Sequence, residues 1–135
     1  MPNQIIQPEG WAGPAGYANG ILTSEGLLFI AGQIGWNGEC VFETDDFIGQ
    51  SEQALRNIRA IVEQAGGSAS DIVRLTWFVT DKREYLARQR EVGAAYRRVL
   101  GKHFPAMTLV VVADLLEDRA LVEIEAPADL RSRAD

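Results

Sequence analysis

The spacing of hydrophobic positions changes several times along the chain, and each change marks an element. The runs "ANGILT" and "LLFIAGQIGW" lie on either side of "SEG", which predicts a β-hairpin closed by a glycine-containing turn. Residues 1–17, rich in Gly and Pro, precede it as a surface segment. From 46 to 65 the apolar positions Phe47, Ala54, Leu55, Ile58, Ile61, Val62 and Ala65 fall mostly at three- and four-residue spacing, which predicts an amphipathic helix. Thr44, Asp45 or Asp46 can cap its start, and Gly66 and Gly67 end it. "DIVRLTWFVTD" is dense in β-branched and aromatic residues and reads as a strand. A second helix runs from about Lys82 to Leu100, with Tyr85, Leu86, Val92, Ala95, Tyr96 and Val99 facing inward and Gly101 after its end. "HFPAMTLVVVADLL" is a turn feeding a further strand, "EDR" turns the chain, and "ALVEIEAPA" forms a last strand that stops at Pro127. The polar tail "DLRSRAD" is expected to fray.

The predicted order is β-β-α-β-α-β-β, an α+β arrangement. Right-handed crossovers then place both helices on the same face of one mixed sheet. A sheet with one wet face alternates apolar with polar residues, and these strands do not. "TLVVV" supplies Leu109 and Val111 to one face and Val110 and Val112 to the other. Ile72 and Phe78 are likewise opposed to Val73, Leu75, Trp77 and Val79. The helix-free face therefore calls for an apolar cover, and another copy of the chain is the simplest one.

Composition narrows the function classes. The 135 residues suit one domain, and 47% of them are hydrophobic, ordinary for a folded globular chain. Net charge is −6 with no basic block, which argues against a nucleic-acid groove and against an anionic membrane surface. No apolar run approaches the roughly 20 residues that span a bilayer, and the N-terminus lacks the basic and apolar regions of a signal peptide. A single cysteine, Cys40, excludes an internal disulfide, and these features together fit a cytoplasmic protein. With one His and one Cys, the ligand set of a structural zinc site is missing, and no metal site is expected.

Across residues 13–128 the segments "GPAGYANGI", "LLFIAGQIG", "QALRNIRAIVEQAGGSASDIVRLTWFVTD", "AAYRRVLG", "FPAMTLVVVADL" and "VEIEAPA" follow one another in an order and spacing that resembles the Rid family of reactive-intermediate deaminases, also labelled endoribonuclease L-PSP. The resemblance implies a chorismate-mutase-like fold assembled as a homotrimer, with the sheets forming an inner barrel and clefts between subunits. It implies hydrolysis of enamines and imines such as 2-aminoacrylate and 2-imino acids, without a cofactor. In deaminating members an Arg within the stretch matching "FPAMT" grips the substrate carboxylate, and a glutamate at the start of "EIE" positions the attacking water. Here the Arg position is Met107, and the glutamate is Glu123. An Asn on the second helix of those members falls near Gly93, and Tyr17 stands where they carry an aromatic residue.

Several residue-level expectations follow. Glu123 and Glu125 are two apart on a strand and share a face, where burial and like charge would raise the pKa of at least one. Glu123 is the candidate catalytic group. Met107 would line the pocket and make its wall apolar, and Thr108 could offer a hydroxyl beside it. Trp36 is either rim packing or a ring platform for a flat ligand. Gln33, polar within an apolar strand, has to find partners if buried. Cys40 and His103 sit on separate loops and do not make a nucleophile pair. Three functions remain: an imine or enamine hydrolase with a retuned pocket, a non-catalytic small-ligand-binding trimer, and an endoribonuclease, the last disfavoured by the acidic charge.

Overall fold

The computed structural model describes residues 2–133. A six-stranded mixed sheet runs in the order β1-β2-β3-β6-β4-β5, built from β1 (Gln4–Ile6), β2 (Gly20–Leu22), β3 (Leu27–Ile34), β4 (Arg74–Val79), β5 (Ala106–Val111) and β6 (Val122–Asp129). Helices α1 (Phe47–Gln64), α2 (Lys82–Ala87) and α3 (Gln89–Leu100) complete the α+β fold. Only β4 and β5 are parallel, and the α2–α3 segment is the crossover that a parallel neighbour requires.

The β2–β3 hairpin forms as expected. Gly26 takes a positive φ, and Thr23 receives hydrogen bonds from the N–H groups of Gly26 and Leu27. Asp46 is the cap of α1, its carboxylate accepting from the Gly49 N–H at 3.1 Å. The core forms between α1, α3 and one face of the sheet, where Leu55, Ile58, Ile61 and Ala95 meet Leu28, Leu75, Trp77 and Ile124. Each fully buried Leu or Ile among them contributes roughly 1.5–3 kcal/mol.

Several expectations need correcting. Residues 1–17 are not all surface segment, because Gln4–Ile6 pairs with β2 and buries Ile6 against the core. A strand of three residues is too short to leave a periodic signal. The second helix is broken at Arg88, whose backbone leaves the helical region while its guanidinium pairs with Asp46, Glu84 and Glu91. The break turns Leu86 outward, contrary to its expected inward place. The last strand does not stop at Pro127 but runs through it to Asp129. Pro127 accepts from the Val73 N–H just before β4, and the Val73 carbonyl accepts from the Ala106 N–H instead, so this pairing needs no donor from Pro127. The tail is also anchored at its start, since Leu130 is buried and donates its N–H to Gly26. The rest of the fraying expectation, at 134–135, lies outside the described residues.

The helix-free face carries the row Ile5–Ile21–Phe29–Pro127, fixed by strand register. Ile5 is 74% and Phe29 53% exposed. Val110 lies on the same face, across β4 from Glu123, and Val111 faces the helices, as the pattern predicts. At the entry to β4 the pattern fails: Ile72 is buried in the core with Leu75, Trp77 and Val79, and Val73 is exposed, the reverse of the expected faces.

Candidate functional site

Strand register decides where each candidate residue points. Glu123 pairs with Phe78 of β4 and with Ile34 of β3, so it stands on the helix-free face between two apolar neighbours. A cavity of about 340 Å³ opens beside it, lined among others by Tyr17, Gln33, Trp36, Leu116 and Glu117. Burial first, and then the like charge of Glu125, push the Glu123 carboxyl above its usual pKa. No hydrogen-bond donor or cation holds this carboxylate among the described residues. Gly32 makes room for it, since a Cβ at that position would collide with the Glu123 carboxylate.

The walls of this cavity are fixed by side chains that sequence reading assigned only partly. Gln33 is buried and donates to Asn19 Oδ1 at 3.2 Å and to the Ala31 carbonyl, while Asn19 donates to Gln7 Oε1. Gln7 in turn donates to the carbonyls of Trp11 and Ala12. This chain ties the Gly-rich segment that bears Tyr17 to the sheet. The Tyr17 hydroxyl has its pKa raised by burial and by the neighbouring Cys40 and Glu117. Asn57 of α1 donates to the carbonyls of Ile34 and Trp36, holding the end of β3 in place. Trp36 both packs against Phe42, with ring centroids 5.8 Å apart, and faces the cavity. Leu116 and Glu117 carry no signal in the sequence, where "EDR" reads as a tight turn, whereas β5 ends at Val111 and β6 begins at Val122.

Met107 lies elsewhere. It pairs with Leu75, whose side chain is buried under the helices, so Met107 faces the helix side at the sheet edge. There it lines a second cavity of about 180 Å³ with Trp77, Tyr85, Gly93, Arg97 and Phe104. Met107 is therefore not close to Glu123 within one chain: the two are on opposite faces of the sheet, with β4 between their strands. Thr108 alternates away from Met107 and lies beside Thr76 in the row that contains Glu125, so it reaches neither cavity. The structure thus unites Tyr17, Trp36 and Glu123 in one cavity and Gly93 with Met107 in another.

Cys40 and His103 make no catalytic pair. Cys40 is exposed on a loop, and the His103 Nε2 is 2.6 Å from the Ile72 carbonyl. The His103 carbonyl accepts from the Tyr96 hydroxyl, and Tyr96 stacks on Phe104 beside the second cavity. Among the described residues no group of His, Cys, Asp and Glu is arranged to hold a metal ion, and no helix is long and apolar enough to cross a membrane.

The family model for endoribonuclease L-PSP matches residues 11–130. A RutC family protein of Haemophilus influenzae is 35% identical over 128 residues, covering 95% of this chain and 98% of the relative. The 2-iminobutanoate/2-iminopropanoate deaminase of Escherichia coli K12 is 37% identical over 105 residues, covering 76% of this chain and 78% of that protein. Among solved structures, the Rid-family protein YyfA of Yersinia pestis, described as of unknown function, superposes with a TM-score of 0.80 at 31% identity, covering 94% of this chain and 98% of that one.

Proposed function

Because the chain belongs to the Rid family, also called endoribonuclease L-PSP, we propose that it is a cofactor-independent imine and enamine hydrolase whose substrate preference differs from that of the 2-imino-acid deaminases. The observation that carries this reading is the Glu123 carboxylate: half-buried, raised in pKa and unpartnered beside a cavity that also holds Tyr17. A carboxyl held above its usual pKa and free of partners suits proton transfer.

In the proposed step Glu123 accepts a proton from water as the water oxygen bonds to the imine carbon. The C=N electron pair moves to nitrogen, which takes up a proton. The C–N bond then breaks, with a proton delivered to nitrogen, so that ammonia leaves and a carbonyl compound remains. An enamine enters the same sequence after protonation at carbon. Nothing in this balance requires an oxidant or a metal.

The two cavities on opposite faces of one sheet support a site completed between subunits. In the proposed homotrimer the Glu123 cavity of one copy would abut the Met107 cavity of the next. Met107 places an apolar thioether where the deaminating members, by the resemblance, grip a carboxylate. Short 2-imino acids, whose carboxylate is bonded to the imine carbon itself, should then be poor substrates.

The test is loss of imine absorbance against the free-solution rate, with imines generated in situ. Wild type should barely accelerate hydrolysis of 2-iminopropanoate. Met107→Arg should raise that rate about tenfold to a hundredfold, the value of one charge-assisted hydrogen bond. Glu123→Gln should abolish turnover of any confirmed substrate while preserving assembly. Full activity of Glu123→Gln on that substrate would assign Glu123 to structure instead. Ligand binding by a wild type that turns over no imine would favour a non-catalytic ligand-binding trimer, the reading that Met107 also supports. An endoribonuclease is disfavoured by the net charge of −6, and salt-dependent RNA binding would be needed to restore it.

A further inference from the structure

The wall of the Glu123 cavity is rich in hydrogen-bond acceptors and, among the described residues, has no cation. Glu117 and Glu123 both line it, and neither is ion-paired with a Lys, Arg or His of the described residues. The fold fixes a third acceptor there. Gln33 is 4% exposed, and its amide nitrogen is spent on Asn19 Oδ1 and the Ala31 carbonyl. Its Oε1 has no donor among the described residues, so an oxygen is what this side chain offers to the cavity it lines. The orientation of the amide is not free. Gln7 Nε2 donates to the carbonyls of Trp11 and Ala12, which leaves Gln7 Oε1 for Asn19 Nδ2 and Asn19 Oδ1 for Gln33. Turning Gln33 over would set its oxygen against two other oxygens. The rings of Tyr17 and Trp36 line the same cavity, and aromatic faces attract cations.

A carboxylate or phosphate brought here would meet two like charges and an oxygen that cannot donate. A nitrogen cation bearing N–H groups meets a counter-charge, an acceptor and two ring faces. In the proposed trimer the adjoining cavity adds Arg97, one guanidinium against two carboxylates, so the joined site still favours a cation. We propose that Glu117 and Gln33 make this site select small cations, and that its ligands are iminium ions without a carboxylate. Their N–H groups face Gln33 Oε1, and Glu117 supplies the counter-charge. Carboxylates beside a bound imine favour its protonated form, which is the form that water attacks most readily. The bound cation in turn favours ionised Glu123, the form that can accept a proton. The proposal rests on the functional reading only in taking this cavity as the substrate site.

Butanamidinium, butanamide and butanoate share a chain and a planar end group and differ in charge. The amidinium stands in for an iminium and is not consumed during a titration. Calorimetric titration of the full-length protein should rank the three in that order. The amidinium should bind at least about tenfold more tightly than the amide, with the gap closing as salt is added. Glu117→Lys should erase the gap, and because Glu117 is exposed the variant should melt with wild type. Gln33→Met keeps the volume and removes the acceptor, and should weaken amidinium binding about tenfold. If Gln33→Met does not fold, Glu117→Lys decides alone. Equal binding of amidinium and amide by wild type, tighter binding of butanoate, or a gap that survives Glu117→Lys would overturn the proposal. Unchanged amidinium binding in a folded Gln33→Met would overturn the part given to Gln33. An amidinium preference lost with Glu117 in a protein that turns over no imine leaves the cation site standing and removes the hydrolase. Imine turnover without that preference does the reverse.

Discussion

At the scale of single residues, Glu123 carries the clearest physical signature, and its raised pKa has a sign in stability as well as in catalysis. A carboxyl that holds its proton more tightly in the native state contributes most below its unfolded pKa of about 4.5, and that contribution is lost as pH rises through the native value. Glu123→Gln keeps the shape and removes the charge. It should therefore melt at a higher temperature than wild type near pH 7, about where most carboxylates are charged, with the gap closing as pH falls towards 4.5. Thermal melts across that range check this, and a gap independent of pH would assign the effect to packing. Glu123 is legible in the sequence because a strand with two glutamates on one face is conspicuous among apolar strands, whereas Tyr17 is pointed to only by the family resemblance and Trp36 stays open between packing and ligand contact. The place of Met107 was not. Its face depends on β5 pairing with β4 rather than with β6, and no local pattern encodes which strand is the neighbour. Gly32 was equally silent, because its importance lies in the carboxylate across the sheet.

At the scale of elements, the long periodic segments and the hairpin show in the sequence, and the isolated strand β1 and the helix break do not. Helix α1 runs within the span of its apolar repeat, and its cap is one of the three residues nominated for it. The break between α2 and α3 has no Gly or Pro to announce it. It is set by Arg88, which reaches from the break to the cap of α1 through Asp46 Oδ1 at 2.7 Å. Asp46 thereby serves two elements, capping one helix and anchoring the junction of two others. Asp46→Ala should destabilise the protein by about 1 kcal/mol, the usual value of a cap, and denaturant titration measures it. The hydrogen bond from Arg88, more than the capping N–H of Gly49, holds the Asp46 carboxyl below its ordinary 3.8. Its contribution is therefore present above about pH 4 and lost as pH falls through the lowered native value, so mutant and wild type should converge in strong acid.

At the scale of the whole molecule, the sequence had already signalled that one face of the sheet lacks a cover. Ile5, Phe29 and Val110 remain exposed there in the single chain, which matches that pattern. In the proposed trimer Val110→Asp would bury an unpaired charge, at a cost on the order of 3–5 kcal/mol. It should dissociate or unfold the protein. Light scattering at micromolar concentration distinguishes the assembly from a chain of 14.8 kDa, and a wild-type mass at that value would refute the assembly. What the sequence could not convey at this scale is the relation between the cavities, because their separation exists only once six strands have been ordered.

That separation has a consequence for inheritance. If neither cavity suffices alone, no single chain carries a complete catalytic unit, and lesions in the two halves belong to different complementation classes. A chain damaged at Glu123 and a chain whose Met107 cavity is blocked would each be inactive by itself. Co-assembled in one cell, they would still present some interfaces in which both halves are intact. Two defective alleles of this one gene could then restore each other, as alleles of two separate genes do.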